Sequence, residues 1–171
     1  GLFMVLPYLA TRLISKYIIS KALLNFIEGI VRLLIFVIYV SLISMMKDIK
    51  RTFMYHGAEH KCINCIENGA RLTPENVKNS SRYHKRCGTS FLFFVMFISI
   101  VFFIFIRVDN VALQILVRIL LVPVIAGVSY EVIRWAGKND NAFVRVLSKP
   151  GMWFQKLTTR EPDMDMIEVA I

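Results

Sequence analysis

Charge is what this sequence has least of, and negative charge above all. Only 19% of the 171 residues are Asp, Glu, Lys or Arg, where a soluble globular chain carries about a quarter. Hydrophobic residues make up 56%, and mean hydropathy is +0.57. Such a chain lacks the means to cover itself with a water-facing surface, so a bilayer is the expected solvent. Twelve acids against 21 Lys and Arg leave a net charge of +9. Those cations form no dense run and are scattered among apolar segments, which argues against nucleic acid and for anionic lipid headgroups. Internal repeats and low-complexity tracts are also missing. So are the basic start and A-x-A site of a signal peptide. With Gly1 heading an apolar pattern already under way, the chain reads as a fragment or a processed product.

What the sequence does have is long apolar runs. Residues 22–46 form the first spanning candidate, with Glu28 and Arg32 inside it. Residues 91–106 carry no charge, and extending back to Gly88 brings them near the ~20 residues a span needs. Residues 111–136 form the third, interrupted by Arg118, Glu131 and Arg134. Charges inside spans default to function. Here a polar path or an anionic headgroup site competes with plain ion pairs snorkelling to the interface. The stretch 107–110 is long enough only for a tight helical hairpin. Residues 2–19 carry Pro7, Arg12 and Lys16, as a broken span or an interfacial helix would.

Orientation follows from Lys and Arg. Lys47, Lys50, Arg51, Lys61, Arg71, Lys78, Arg82, Lys85 and Arg86 face only Asp48, Glu59, Glu67 and Glu75 between them. This predicts a cytoplasmic 47–88 loop, an outer hairpin at 107–110 and a cytoplasmic tail. Arg12, Lys16 and Lys21 then sit awkwardly, near the outer end of the first span. In the tail, Pro150-Gly151 is expected to break the chain, and Met152, Trp153, Phe154 and Leu157 beside Lys156 and Arg160 suggest an interfacial anchor. The expected architecture is all-α: a polytopic membrane helical bundle with a cytoplasmic helical-hairpin loop. Its parts are N-terminal membrane or interfacial helices (1–46), a His/Cys-rich loop (47–90), a transmembrane hairpin (91–136) and an interfacial tail (137–171).

All three histidines (His56, His60, His84) and all three cysteines (Cys62, Cys65, Cys87) fall within 56–87. These are the standard borderline and soft metal ligands, and a reducing cytoplasmic loop favours free thiolates over disulfides. His56 and His60 are one helical turn apart and can share a tetrahedral ion. The string His56-Gly57-Ala58-Glu59-His60 is also the H-x-x-E-H pattern of inverted zincins, in which the Glu activates water. Asn68-Gly69 can end that helix, and Thr73-Pro74-Glu75 can begin another that runs to near His84. The returning chain would bring His84 or Cys87 to the first pair, with Cys65 and Glu67 as further ligands. Other readings stay open. The histidines can be hydrogen-bonded interface residues, and Glu59 can orient an imidazole. Cys62-x-x-Cys65 with His84-x-x-Cys87 can form a structural zinc knuckle. Cys87 at a helix N-terminus can be a nucleophile.

The strings YHGAEHKCINCIENGARLTPENV, SRYHKRCGTSFLFFVMFISI, GVSYEVIRWAG and PGMWFQKLTTREPDMDMIEVAI resemble the bacterial YqhQ-like family of uncharacterised membrane proteins, described as metal-dependent enzymes. The resemblance covers essentially the whole chain. It implies a site at His56, Glu59, His60, His84 and Cys87. Members often carry threonine where Cys62 stands, which discounts that residue as a ligand, and they have an N-terminal soluble stretch that this chain lacks. The leading expectation is a zinc-dependent (or other divalent-metal) hydrolase of the bacterial inner membrane, multi-pass, acting on a membrane-associated substrate and able to homo-oligomerise. The alternative is a non-enzymatic scaffold or translocation factor with structural zinc; a transporter ranks third.

Overall fold

The computed structural model describes residues 2–18, 20–106, 108 and 110–171. Among the described residues every regular element is helical: α1 (Leu2–Ile14), α2 (Lys21–Ile43), α3 (Lys47–Glu67), α4 (Pro74–Asn79), α5 (Gly88–Ile104), α6 (Val111–Lys138), α7 (Ala142–Thr158) and α8 (Met164–Ala170). The chain divides into two compact units. One holds Gly1–Tyr39 and Phe91–Trp135, the other Val40–Ser90 and Ala136–Ile171.

The first unit is built on apolar helices. Its core packs Phe103 and Ile106 against Ile125, with Val117 and Leu121 of α6 beside them. Two helices, α2 and α6, are long and apolar enough to cross a membrane. The third expected span is shorter than the sequence suggested. The 17 residues of α5 rise about 26 Å, less than the ~30 Å hydrocarbon core. The carbonyl of Phe103 in its last turn and that of Ile106 just beyond it accept from Asn25 Nδ2 at 3.0 and 3.1 Å, so a side chain of α2 caps α5. Pro7 lies inside α1 and cannot donate to the carbonyl four residues earlier. That carbonyl, of Phe3, instead accepts from Arg32 Nε at 3.0 Å.

The second unit is more polar and its helix ends are explicit. Gly69 ends α3 at φ +72°. Its N–H donates to Ile66 O, and the N–H of Ala70 donates to Cys65 O. This is the Schellman pairing, which needs a left-handed residue. Thr73 caps α4 through Oγ1, with Pro74 in the first turn. That helix stops at Asn79 rather than near His84. The core joins Ala58, Cys62 and Cys65 of α3 to Val77 of α4 and Ile167 of α8. The break expected at Pro150-Gly151 does not occur: α7 runs through both. Val144, Ser148, Gly151, Gln155 and Thr158 form one buried stripe while Pro150 is exposed. Packing along the stripe outweighs the lost hydrogen bond on the far side.

Candidate metal centre

His56 and His60 lie in the middle of α3, one turn apart, with ring centroids 4.3 Å from each other. Glycine between them weakens a helix by about 1 kcal/mol against alanine, and the structure explains why Gly57 is there. A Cβ on Gly57 would stand 2.1 Å from the backbone oxygen of Arg160. The chain leaving α7 crosses α3 in contact at this point, and the Arg160 N–H donates to Phe53 O at 2.8 Å.

The segment between α4 and α5 has no regular structure, so its carbonyls need partners from elsewhere. Side chains of α3 supply them. His60 Nδ1 pairs with Arg82 O at 2.7 Å. Lys61 Nζ donates to Lys78 O and Ser80 O at 2.8 and 2.9 Å and pairs with Glu161 at 2.7 Å. Asn64 Nδ2 donates to Ser81 O and Tyr83 O. From the opposite side Gln155 of α7, fully buried, clamps the peptide of His84. Its Oε1 accepts from His84 N at 2.9 Å, and its Nε2 donates to His84 O at 2.7 Å and to Ser90 Oγ. Cys87, immediately before α5, is presented by this clamped segment.

The result is a group of three ligand atoms, from His56, His60 and Cys87, all within 4.8 Å of one another. Cys87 Sγ lies 3.4 Å from His56 Nε2, close to the about 3.6 Å that separates sulfur and nitrogen on one tetrahedral zinc. The hydrogen bonds settle the tautomers. His56 Nδ1 faces Thr158 O at 2.8 Å, and His60 Nδ1 faces Arg82 O. A carbonyl only accepts, so each Nδ1 carries the proton. In the neutral rings each Nε2 is then a bare lone pair. Metal-bound histidines are held in just this way. Cys87 is buried, which pushes its thiol up. When no metal takes the Nε2 lone pairs, a second proton on the imidazoles lets Nε2–H donate to the sulfur, and these hydrogen bonds with His56 and His60, with that of Thr89, overcome burial and bring the thiol down to about 5. The bond to Cys87 in turn raises His56 above the ordinary imidazole value, against the effect of burial. Two imidazole nitrogens and a thiolate are a donor set for zinc or a similar borderline divalent ion.

The other predicted residues lie elsewhere. His84 is buried with its ring 5.9 Å from that of His60, and its Nε2 pairs with Glu67 at 3.2 Å. Glu67 also binds Arg86. Cys65 is fully buried in the apolar core, its Sγ directed at Arg71 O at 3.4 Å; Cys62 is buried in the same cluster. Glu59 is exposed on α3 and outside the three-atom group. In the first unit Glu28, Arg32 and Arg118 come together. Glu28 Oε1 lies 2.6 Å from Arg32 and 2.9 Å from Arg118. Glu131 and Arg134 form a separate exposed pair at 3.0 Å.

Sequence reasoning passed over Thr158, Gln155, Lys61 and Thr89. Thr89 Oγ1 lies 3.1 Å from both Cys87 Sγ and Thr158 Oγ1. Thr89 and Ser90 belong to the H-x-R-C-G-T-S-F string already singled out, so that string held a signal. Thr158 acts through a backbone carbonyl 102 residues from His56, and no local pattern foretells that.

An all-helical chain with a His/His/Cys cluster framed by H-G-A-E-H and H-x-R-C-G-T-S-F belongs to a family defined by sequence. Residues 1–171 match the family described as "Protein of unknown function (DUF1385)", and the chain is a member of it. It is 42% identical over 146 residues to "Uncharacterized protein YqhQ" of Bacillus subtilis (strain 168). The match covers 85% of this chain and 46% of that protein, so the chain spans about half the length of the curated relative. No solved structure matches.

Proposed function

We propose that this chain is a multi-pass protein of the bacterial inner membrane that binds zinc through His56, His60 and Cys87 and hydrolyses a membrane-associated substrate. The observation that carries the metal half is the pair of Nδ1–carbonyl bonds, which leaves two Nε2 lone pairs converging on a thiol. Zinc there would act as a Lewis acid that makes water a nucleophile near neutral pH. Glu59 is the proton acceptor in this reading. His84 and Glu67, paired at the edge of the cluster, hold the 84–87 segment in place and do not bind the ion.

The membrane half is supported by exposure. Only 17% and 11% of the apolar windows in α2 and α6 are buried, whereas a soluble protein's core helix is mostly covered. Leu23, Phe26, Ile30, Leu34, Ile38 and Leu42 form an exposed stripe at helical spacing, more apolar surface than water tolerates. On α7, exposed Phe143, Val146 and Trp153 share a side with Lys149 and Lys156, as in an interfacial helix. The 47–90 region is cytoplasmic by its basic residues. A cysteine replacing Asn79, in a chain freed of native cysteines, is then expected to resist an impermeant thiol reagent in intact cells. Labelling from outside refutes that topology.

A second reading has its own observation. Cys87 beside His56, itself oriented by Thr158 O, is the arrangement of a thiolate nucleophile and its base. The two readings part on Glu59→Gln. The hydrolase reading expects metal retained and function in a complementation assay down by about 10²–10⁴. A thiol enzyme, or a scaffold merely stapled by zinc, expects Glu59→Gln to be near neutral.

A further inference from the structure

Among the described residues of the first unit, the charges gathered at Glu28 do not balance. Glu28 is shared by Arg32 and Arg118, each half-buried and within 3 Å of it. Two guanidiniums on one carboxylate leave a net positive charge among apolar helices, where an uncompensated charge is costly. Both cations also lie over the ring of Phe103, at 5.9 and 5.1 Å. The Nε of Arg118 is buried with no hydrogen-bond partner.

Two cavities meet at Arg118. One, of about 410 Å³, is lined by Thr11, Arg12, Ser15, Lys21, Glu28 and Arg118 among others. Among the described residues that line it, Arg12, Lys21 and Arg118 are cations and Glu28 is the acid. The other, of about 390 Å³, is almost wholly apolar and includes Phe3, Phe36, Val95, Ile119, Val122 and Ile125. Their order along the helices is consistent. The polar cavity takes Lys21 to Glu28 of α2 and the apolar one takes Arg32 and Phe36, so from Glu28 to Phe36 the site deepens by about 12 Å. On α1, which runs the other way, Arg12 and Ser15 line the polar cavity and Phe3 the apolar one. A cationic chamber at the helix ends thus opens beside an apolar chamber further in.

We infer that this is a binding site for an anionic phosphate-bearing amphiphile. Its headgroup sits against Arg12 and Arg118, and an acyl chain runs past Phe103 into the apolar chamber. The headgroup charge neutralises the cluster's excess. The same assignment explains why Arg12 stands at the end of a span where positive charge is otherwise disfavoured. It is independent of the His/Cys site, but rests on the first unit being embedded in a bilayer.

The test is a titration of the purified full chain in neutral detergent, read by native mass spectrometry. Phosphatidic acid supplies head and tails, diacylglycerol the tails alone, and inorganic phosphate the head alone. Phosphatidic acid is expected to bind about tenfold or more tighter than either part. Arg118→Gln leaves Glu28 and Arg32 as a balanced pair, so it is expected to fold while losing about fivefold in affinity. Arg12→Gln, at an exposed position, is expected to lose a similar factor or less. Equal binding of diacylglycerol overturns the proposal, and so does phosphate binding as well as the lipid. Unchanged lipid affinity in both variants overturns it too. A wild-type chain that stays folded and monodisperse without detergent sinks the membrane reading instead, which separates the two failures.

Discussion

Each unit gathers polar groups that a sequence would scatter, and each treats them differently. Around His56, His60 and Cys87 the partners are mostly backbone carbonyls and neutral side chains: Thr158 O, Arg82 O, Thr89 and Gln155. These fix proton positions and leave lone pairs facing inward. Around Glu28 the partners are charges, Arg32 and Arg118, and the sum is not zero. Buried polar groups are normally satisfied within the fold. A site satisfied except for converging lone pairs suits a cation, and one left with surplus positive charge suits an anion.

The largest effect should come from Gly57→Ala. Propensity alone favours it by about 1 kcal/mol, but its Cβ meets the Arg160 backbone at 2.1 Å. Overpacking against backbone costs about 1–3 kcal/mol or more, so a fall in thermal midpoint is expected and a rise would refute the crossing. Next is His60→Ala. It removes a ligand and leaves the part-buried Arg82 O without its donor, a loss of about 1 kcal/mol. Both metal content and chemical-denaturation stability should fall; a variant that keeps its metal takes His60 out of the site. Cys87→Ser against Cys65→Ser sharpens the contrast within one unit. The first should abolish zinc binding and, compared with the wild type in chelator, change stability little. The second should keep zinc and lose about 1 kcal/mol, because a shorter hydroxyl replaces sulfur in the apolar core while Arg71 O still offers it an acceptor. The reverse pattern would move the centre to the Cys62–Cys65 pair.

How far the sequence foretold this depends on range. Helix ends were legible where local chemistry sets them: Gly69 closes α3 and Thr73-Pro74 opens α4, both as expected. The His56–His60 spacing already implied a shared helical face, and α3 provides it. What failed was long-range. The extension of α4 toward His84 ignored the carbonyls of 78–83, which bind side chains of α3 instead of continuing a helix. The break at Pro150 ignored a buried stripe whose partners could not be seen. Of the two residues the returning chain was expected to bring to the first pair, Cys87 joins the three-atom group, and His84 has other partners. Gln155, 71 residues away, holds its backbone, and its ring faces Glu67. The helix α8, packed on α3 through Ile167, had no strong period in so short a segment.

The most direct test is elemental analysis of the full chain purified without chelators, beside His56→Ala and Cys87→Ser prepared the same way. The three-ligand geometry predicts about one zinc per chain in the wild type and little in either variant. Metal-free wild-type protein, or wild-type zinc content in both variants, contradicts the centre assigned to His56, His60 and Cys87.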